Sequence, residues 1–388
     1  MGAERVHSRE PIGKARREGG LMKILLVTSV DPWTRSVSTI HRWVRAGQSA
    51  GHDVAVYGEP NEELPHLPFT TDLSGVDVAV FVVQVPSDFP DMPYLARVLD
   101  TIPRERRVVI DLWGRFNDTI RVDHDFNHLE KLDGHLGWEW EDAFNALSEV
   151  ILQPTLAPRP AGVRSYLFHG FDPGAVAVPH KTAREAATAW SGKPCGVMYV
   201  GSNWQRWTQV RSFLEGYAPV RGKVGPAALV GWDWGARPEW AIQKGIAGVD
   251  TDPAFLDSLG VEVRHGVRFN EIIALLGQAR FVPVFHRPLF RELGLVTARS
   301  FETFYADTIP LLMLPRDLIG AIYGPAALDL APDGDLAAYM TDVLDRPEHY
   351  WEAVLKTRAH LAREHSYTRR LQELLALAGL ESRLGATR

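Results

Sequence analysis

The pattern that decides the fold lies in residues 23–58, KILLVTSVDPWTRSVSTIHRWVRAGQSAGHDVAVYG. It begins with a continuous apolar run, and continuous rather than alternating hydrophobicity is typical of a strand buried on both faces of a parallel sheet. A helical apolar pattern follows from about Ser38 to Ala50, Gly51 ends it, and a second apolar run at 52–58 predicts the next strand. The order strand, helix, glycine, strand predicts a βαβ unit.

The same alternation continues in two series separated by a connector. In the first series we predict strands at 77–85, 107–114, 150–155 and 163–171 and helices at 94–101 and 139–147. In the second series we predict strands at 196–202, 227–234, 261–267, 279–288 and 309–315 and helices at 205–216, 270–279, 299–307, 333–345 and 347–379. Residues 172–194 are rich in proline, alanine and polar residues, which predicts the connection between two domains.

These patterns predict an α/β fold of two Rossmann-like, doubly wound parallel-sheet domains that face each other across a cleft. We expect a disordered tail at 1–21, an N-terminal domain at 22–172, a linker at 173–194, a C-terminal domain at 195–346 and C-terminal helices at 347–388. The last helices are candidates to cross back to the first domain, with Tyr350 and Trp351 either as anchors between the domains or as ordinary core residues. Ligands of open parallel sheets bind outside the carboxyl ends of the strands, so we expect one substrate on each side of the cleft.

Composition limits the class of protein. The chain has 388 residues, of which 45% are hydrophobic and 23% charged, as is typical of a globular protein. Its net charge of −6 gives no overall attraction to nucleic acid. The one cysteine, Cys195, excludes a disulfide framework, fits a reducing compartment and is interpreted as a packing residue. No stretch approaches the roughly 18 to 20 apolar residues of a membrane span, and residues 1–21 lack the apolar region of a signal peptide, so we expect a cytoplasmic protein.

Three segments carry a resemblance to a known family. Residues 296–314, VTARSFETFYADTIPLLML, resemble the donor-site helix and following strand of GT-B glycosyltransferases, with Glu302 in the place of the family's glutamate. Residues 199–207, YVGSNWQRW, and residues 363–377, REHSYTRRLQELLAL, resemble the CgeB-like glycosyltransferases, which are named for a spore-maturation protein. The resemblance implies metal-independent transfer of a sugar, such as a hexose, from a nucleotide-diphosphate sugar to an acceptor hydroxyl. It implies a UDP-sugar as the donor and no further cofactor.

The chain departs from this family in one respect. Many retaining GT-B enzymes have two glutamates with seven residues between them, but the corresponding position before Glu302 is Gly294, and Glu292 is out of register. The stereochemical course of the transfer, retaining or inverting, therefore stays open.

The resemblance, together with the positions of strand ends and of the helix start, indicates a set of donor-binding residues. They are Gly201, Ser202, Arg206, Val267, Phe269, Thr297, Arg299 and Glu302. Glu302 is expected to accept both ribose hydroxyls, a role that suits a carboxylate. The start of its helix near Thr297, together with Arg206 and Arg299, is expected to meet the negative charge that grows on the leaving diphosphate. Each also has a plain structural interpretation, as a solvated glutamate, a helix cap or a surface arginine.

The other donor candidates belong to strand ends. Gly201 and Ser202 follow a predicted strand, where the backbone has to come close to a ligand. Val267 and Phe269 lie in a segment that the resemblance places against the nucleotide base, although the end of a core strand is the alternative. The two tryptophans of residues 230–234, VGWDW, are candidates to pack on the sugar or to fill the core.

An inverting transfer needs a catalytic base, and three residues that follow predicted strands of the first domain are candidates. Asp31 lies in the first strand–helix loop, although a turn before Pro32 is an alternative role for it. Asp111 ends a buried strand, and His169 lies near the end of the first series. Residues 124–128, HDFNH, look like a metal-binding run but lack a partner cluster with ligand spacing, so no metal site is expected.

Several functions are compatible with these patterns. The acceptor is a small molecule, a glycan, a protein or a modified nucleic-acid base. A nucleotide-sugar 2-epimerase has the same architecture without an acceptor, and a non-catalytic protein would bind a nucleotide sugar or a glycan without turnover. A glycosyltransferase acting on DNA bases predicts a basic groove on the first domain, with Arg35, Arg42, Arg45 and residues 104–107 as contributors, and the acidic net charge weighs against it.

Overall fold

Two parallel sheets, each with helices packed on it, organise the chain as its sequence predicts. The structure, a computed structural model, describes residues 21–33, 37–84, 92–117, 120–122, 129–131, 138–158, 160–235, 237–243 and 248–380. Residues 1–20, which make up nearly all of the predicted tail, lie outside these ranges. Within them, no helix is both long and apolar enough to cross a lipid bilayer.

The first half of the chain contains a seven-stranded sheet. The strands of this half of the chain, which include two outside the sheet, are β1 (Lys23–Val27), β2 (Asp53–Tyr57), β3 (Phe69–Thr70), β4 (Val78–Val83), β5 (Arg107–Asp111), β6 (Ile120–Val122), β7 (Leu129–Lys131), β8 (Val150–Gln153) and β9 (Val163–Ser165). Its helices are α1 (Val37–Ser49), α2 (Met92–Thr101) and α3 (Trp138–Leu147). The parallel order is β3-β2-β1-β4-β5-β8-β9, and β6 and β7 form a separate antiparallel pair. β1 is central, since Leu25 pairs with Ala55 of β2 on one side and with Ala79 of β4 on the other.

The second half contains a five-stranded parallel sheet. Its strands are β10 (Cys195–Val200), β11 (Ala227–Val230), β12 (Glu262–Arg264), β13 (Ala279–Phe285) and β14 (Ile309–Met313), in the order β12-β11-β10-β13-β14. The remaining helices are α4 (Ala183–Ser191), α5 (Trp207–Tyr217), α6 (Arg221–Val224), α7 (Glu239–Gln243), α8 (Pro253–Leu259), α9 (Ile272–Leu276), α10 (Pro288–Glu292), α11 (Arg299–Tyr305), α12 (Arg316–Tyr323), α13 (Leu336–Asp345), α14 (Pro347–Glu364) and α15 (Tyr367–Leu377). In both sheets the first strand is internal and the order reverses beside it, which places a crevice at its carboxyl end.

The burial of the strands explains why the sequence predicts them. Every residue of β4 and β10 is buried, as expected of strands covered on both faces, and Cys195 at the start of β10 packs in the core. Predicted strands extend too far, since β9 ends at Ser165 and β11 at Val230. The apolar residues beyond these ends fill the core or the cleft, and their composition resembles that of a strand.

The C-terminal helices divide between the two domains. The predicted helix at 347–379 is two helices, because α14 ends at Glu364 and Ser366 begins a new helix, capping α15 by accepting from the backbone N–H of Arg369 at 3.3 Å. Tyr350 and Trp351 of α14 lie in the core of the second domain, so they are core residues. α15 crosses back and packs Leu371 on the core of the first domain.

The predicted connector is partly a helix of the second domain. α4 packs against α14 and buries Trp190 in the second core. Lys193 follows it, and its Nζ lies 2.9 Å from Oδ2 of Asp307, where His180 also approaches Oδ1 at 2.8 Å. This cluster ties the connector to the turn between α11 and β14.

Gly196 of β10 has to be a glycine for lack of space. A Cβ atom there would lie 2.5 Å from the carbonyl oxygen of Val224 and 2.7 Å from that of Gly225. Because backbone atoms cannot rotate away, Gly196→Ala should lower the free energy of unfolding by about 1–3 kcal/mol. Gly222→Ala, in α6 with nothing within 4 Å, is the matched control and should not lower it. Thermal denaturation followed by circular dichroism compares the two, and equal midpoints would contradict this account of Gly196.

Candidate functional site between the two sheets

A cavity of about 290 Å³ lies between the carboxyl ends of the two sheets. All of the predicted donor-binding residues line it, namely Gly201, Ser202, Arg206, Val267, Phe269, Thr297, Arg299 and Glu302. From the first domain its walls include Gln84 after β4 and Leu112 after β5. The strand ends therefore bring the donor candidates together on one side of a cleft, as parallel α/β sheets do with ligand-binding groups.

Glu302 is a buried carboxylate with a partner from each domain. Its Oε1 accepts from Ser38 Oγ of α1 at 2.6 Å, and its Oε2 lies 3.2 Å from Nη1 of Arg299. Burial acts to raise the pKa of Glu302, but Arg299, the Ser38 hydrogen bond and Arg42 outweigh it, and the pKa is lowered. The carboxylate is thus ionised and held in place, and its oxygens keep further lone pairs for hydroxyl donors.

Positively charged side chains lie at and next to the cavity wall. Arg206 immediately precedes α5 and donates from Nη1 to the carbonyl of Ser202 at 3.1 Å. Arg287 is buried, with its guanidinium 4.0 Å from the ring centroid of Trp113. Burial lowers the pKa of Arg287, and repulsion from Arg206 and Arg115 lowers it further. Arg206 and Arg299, the arginines of the cavity wall, favour an anionic ligand in the cleft.

Asn203 joins the loops that carry Arg206 and Trp232, and the sequence analysis did not single it out. Its side chain is fully buried, and Nδ2 donates to Oγ1 of Thr251 at 2.7 Å and to the carbonyl of Asp233 at 3.1 Å. Its backbone N–H donates to the carbonyl of Trp232 at 2.9 Å. One amide therefore fixes the loop after β10 against the loop after β11.

The same two loops contain backbone strain. Gln205 and Asp233 have φ angles of +54° and +65°, in the left-handed region that non-glycine residues rarely adopt. Such conformations persist where the surroundings over-determine them, and they concentrate at functional sites. The motif at 199–207 contains Asn203, but nothing in it indicates that the amide turns inward.

The predicted base slot is apolar and touches the first domain. Val267 and Phe269 line the cavity, and the backbone N–H of Phe269 donates to the carbonyl of Pro32 at 3.0 Å. The two tryptophans of the loop after β11 lie in different environments. Trp232 is 40% exposed and lines the cavity, whereas Trp234 is 1% exposed and belongs to the core.

His169 is the predicted catalytic residue that the structure places at the cavity. Its Nδ1 lies 2.9 Å from Oγ1 of Thr39. Burial lowers the pKa of His169 to about 4, although the nearby Glu302 acts in the opposite direction. The imidazole is therefore neutral at pH 7, the form in which it can accept a proton.

The structure does not bring Asp31 or Asp111 to the cavity wall. Asp31 accepts from the backbone N–H of Trp33 at 2.9 Å, which is the turn role that the sequence offers as the alternative. Asp111 is fully buried, and its Oδ2 accepts from the N–H of Phe116 at 2.8 Å and from Nε2 of Gln153 at 2.9 Å. Burial raises the pKa of Asp111, and these bonds use the carboxylate to hold the loop after β5.

Of the described basic residues expected at a nucleic-acid groove, the run at 104–107 lies away from the cleft. Residues 104–107 precede and open β5, so they lie at the sheet edge opposite to the cavity. Arg107 is buried and donates to backbone carbonyls around it. Arg42 is partly buried, Arg45 is exposed, and Arg35 lies outside the described residues. The run at 104–107 therefore cannot line a groove at the cleft.

In the part of the chain that the structure describes, no group of three or more His, Cys, Asp or Glu side chains could hold a metal ion. Residues 124–128, the metal-like run, lie outside that part. Metal independence therefore remains a prediction.

Solved structures resemble this chain, whereas no protein-family model and no curated protein matches it. An alpha-glucosyltransferase in complex with UDP and a 13-mer DNA containing a HMU base matches with a TM-score of 0.55 and 11% identity, over 93% of this chain and 100% of that chain. An alpha-glucosyltransferase with UDP-glucose and DNA containing an abasic site gives 0.56 and 11%, over 92% and 99%. T4 phage BGT in complex with its UDP-glucose substrate gives 0.51 and 11%, over 94% and 99%.

At such identities the likeness shows the fold alone. The fold is GT-B, with two parallel-sheet α/β domains facing across a cleft, as the sequence predicts. The narrower resemblance to the CgeB-like glycosyltransferases stays a prediction, because no family model matches the chain.

Replacing Asn203 tests whether it positions the site. Asn203→Ala leaves buried carbonyls without a donor, so it should lower the free energy of unfolding by about 1–3 kcal/mol. Asn203→Asp keeps the volume but turns a carboxylate toward the carbonyl of Asp233 and should be at least as damaging. Chemical denaturation of both variants measures the effect. Wild-type stability of Asn203→Asp would show that the hydrogen bonds are not what holds the loops.

Two buried histidines predict how stability depends on pH. Burial lowers the pKa of His169 to about 4 and, with Arg206, that of His286 to about 3, whereas the unfolded values lie near 6.5. Below pH 6.5 the unfolded chain therefore binds more protons, and the free energy of unfolding should fall as the pH drops toward 4. His169→Gln should reduce this slope by up to about 1.4 kcal/mol per pH unit. Urea titrations at fixed pH measure it, with the surface variant His349→Gln as the control. An unaltered slope in His169→Gln would refute the low pKa.

Proposed function

We propose that the protein is a glycosyltransferase that moves a sugar, specifically a hexose, from a UDP-sugar to an acceptor hydroxyl. The observation that carries this proposal is the placement of an ionised, buried Glu302 beside Arg299, in a cavity at the carboxyl ends of a parallel sheet that Arg206 also lines. The GT-B fold supports it, since the similar solved structures hold UDP or UDP-glucose.

In this proposal each part of the second domain meets one part of the donor. Glu302 accepts the ribose hydroxyls, and the slot of Val267 and Phe269 takes the base. Arg206 and Arg299 neutralise the charge that develops on the diphosphate when the bond between the anomeric carbon and the phosphate oxygen breaks. UDP leaves, and the acceptor oxygen forms the new bond to the anomeric carbon.

His169 is the proposed base if the transfer inverts the anomeric centre. When Nδ1 carries the ring proton and donates to Thr39, Nε2 is free to take the proton of the acceptor hydroxyl. Asp31 is the second candidate, because it lies in the loop after β1, next to Trp33 of the cavity wall. Asp111 is the weakest of the three, since its hydrogen bonds already serve the fold.

DNA is one acceptor class to test, because two of the three similar structures named above contain DNA. Residues 104–107 lie away from the cleft, so a DNA acceptor would have to be bound by other parts of the first domain. Small molecules, glycans and proteins are tested as acceptors in the same experiment.

Thermal stabilisation by nucleotide sugars tests the donor site. One nucleotide family, for which we expect UDP, should stabilise the protein by about 2.7 kcal/mol at 100 times its dissociation constant, and NAD should not. Glu302→Gln keeps the shape of the side chain but removes its charge, and it should abolish most of the shift. Glu352→Gln, an exposed glutamate of α14, is the matched control and should keep the shift.

The comparison uses the ligand-induced shift, because Glu302→Gln also removes the partner of Arg299 and lowers the midpoint without ligand. If UDP-, GDP-, dTDP- and CMP-sugars all fail to shift the midpoint, the proposal that this cavity binds a nucleotide-sugar donor is contradicted. Incubation with UDP-glucose and each acceptor class, with EDTA or Mn²⁺, then measures turnover. Inversion at C2 without acceptor would identify an epimerase instead, and binding without turnover would identify a binding protein.

A further inference from the structure

Two exposed tryptophans meet at the cleft, one from each domain. Trp33 follows β1, Trp232 follows β11, and both line the cavity. Their side chains are 41% and 40% exposed, their ring centroids are 6.2 Å apart, and their planes meet at 79°. Two nearly perpendicular indoles form a corner with open ring surface, and such surface is favourable for a flat ligand.

Trp33 is held against the second domain by the loop after β12. The carbonyl of Pro32 accepts from the N–H of Phe269 at 3.0 Å. The guanidinium of Arg268 lies 5.3 Å from the Trp33 ring centroid and pairs with Glu63 of the first domain at 3.0 Å. A ring of the first domain is therefore fixed at the apolar slot of the second.

The position of Trp232 depends on a glycine. A Cβ atom on Gly266 would fall on the six-membered ring of Trp232. The φ angle of Gly266 is not in the left-handed region, so space rather than backbone conformation requires glycine here. The indole lies directly against the backbone beside Val267, the residue at the proposed base slot.

We propose that Trp33 completes the nucleobase site of the donor from the opposite domain. The inference rests on the proposed function and adds to it a binding residue of the first domain and a heteroaromatic ligand group. A base at Val267 stacks on one indole of the corner and meets the edge of the other. Stacking accepts every base, so the corner supplies affinity rather than a choice among nucleotides.

The position of Trp33 favours the base over the acceptor as its ligand. In a nucleotide sugar, the base and the transferred sugar lie at opposite ends of the ribose and diphosphate. Trp33 contacts the loop that contains Arg268 and Phe269, which is the base end of the proposed donor site. An acceptor ring stacked on Trp33 would be separated from the anomeric carbon by the diphosphate.

Calorimetric titration with UDP and with inorganic pyrophosphate, which lacks a base, tests the inference. Trp33→Ala should raise the dissociation constant of UDP by roughly 5- to 150-fold, the range expected for a lost stacking contact, and leave that of pyrophosphate unchanged. Trp33→Phe should restore most of the UDP affinity. Val178→Ala, which shortens an exposed apolar side chain away from the cavity, is the control.

The outcomes separate this inference from the proposed function. If Trp33→Ala binds UDP as the Val178→Ala control does, the inference is overturned, and a raised KM for acceptor would assign the ring to the acceptor instead. An equal loss of UDP and pyrophosphate binding would also overturn it, because Trp33 would then support the cleft as a whole. Failure of the unaltered protein to bind UDP would overturn the UDP-sugar donor itself, and the inference with it.

Discussion

A carboxylate buried between two domains has to be paired, and Glu302 meets this requirement with Ser38 from one domain and Arg299 from the other. An unpaired buried charge would cost several kcal/mol. The contact therefore fixes α1 against α11 and with them the width of the cleft. The group proposed to recognise the donor is also one of the groups that sets how far apart the two domains lie.

Part of the second domain's side of the cleft consists of loops without regular structure, and close approach of their backbones makes these loops rigid. A side chain at Gly231 would fall on the carbonyl of Gly201, so the loops after β10 and β11 lie in direct contact. Hydrogen bonds of the Asn203 amide hold these two loops together. The loops thereby maintain the positive φ angles of Gln205 and Asp233. Binding groups on loops need such rigid backbone contacts, because no helix or strand holds these groups in place.

The sheets could be predicted from the sequence because a strand that is buried on both faces has a continuous run of apolar residues. The sequence could not predict where strands end, since the apolar residues of the β11 loop look like strand residues. The break at Ser366 was hidden because an amphipathic pattern continues on both sides of it. Glu302 was found through its flanking motif, whereas its partner Ser38 lies 264 residues away and no local pattern connects the two. Asp111 illustrates a different limit. The strand pattern predicts that its carboxylate lies at the edge of the sheet, but it does not predict whether the side chain faces the cleft or the protein interior.

The crossing of α15 has a consequence for the order in which the chain folds. The N–H of Phe171 donates to the carbonyl of His365 at 2.7 Å, so the chain passes between the domains twice, side by side. Beyond the second passage, Leu371 and Leu374 complete the core around Trp43, a residue near the opposite end of the sequence. During synthesis, domains generally fold as units from the N-terminus onward. Here the core of the domain that the ribosome makes first stays open until α15, more than 200 residues later in the chain than β9, has been released.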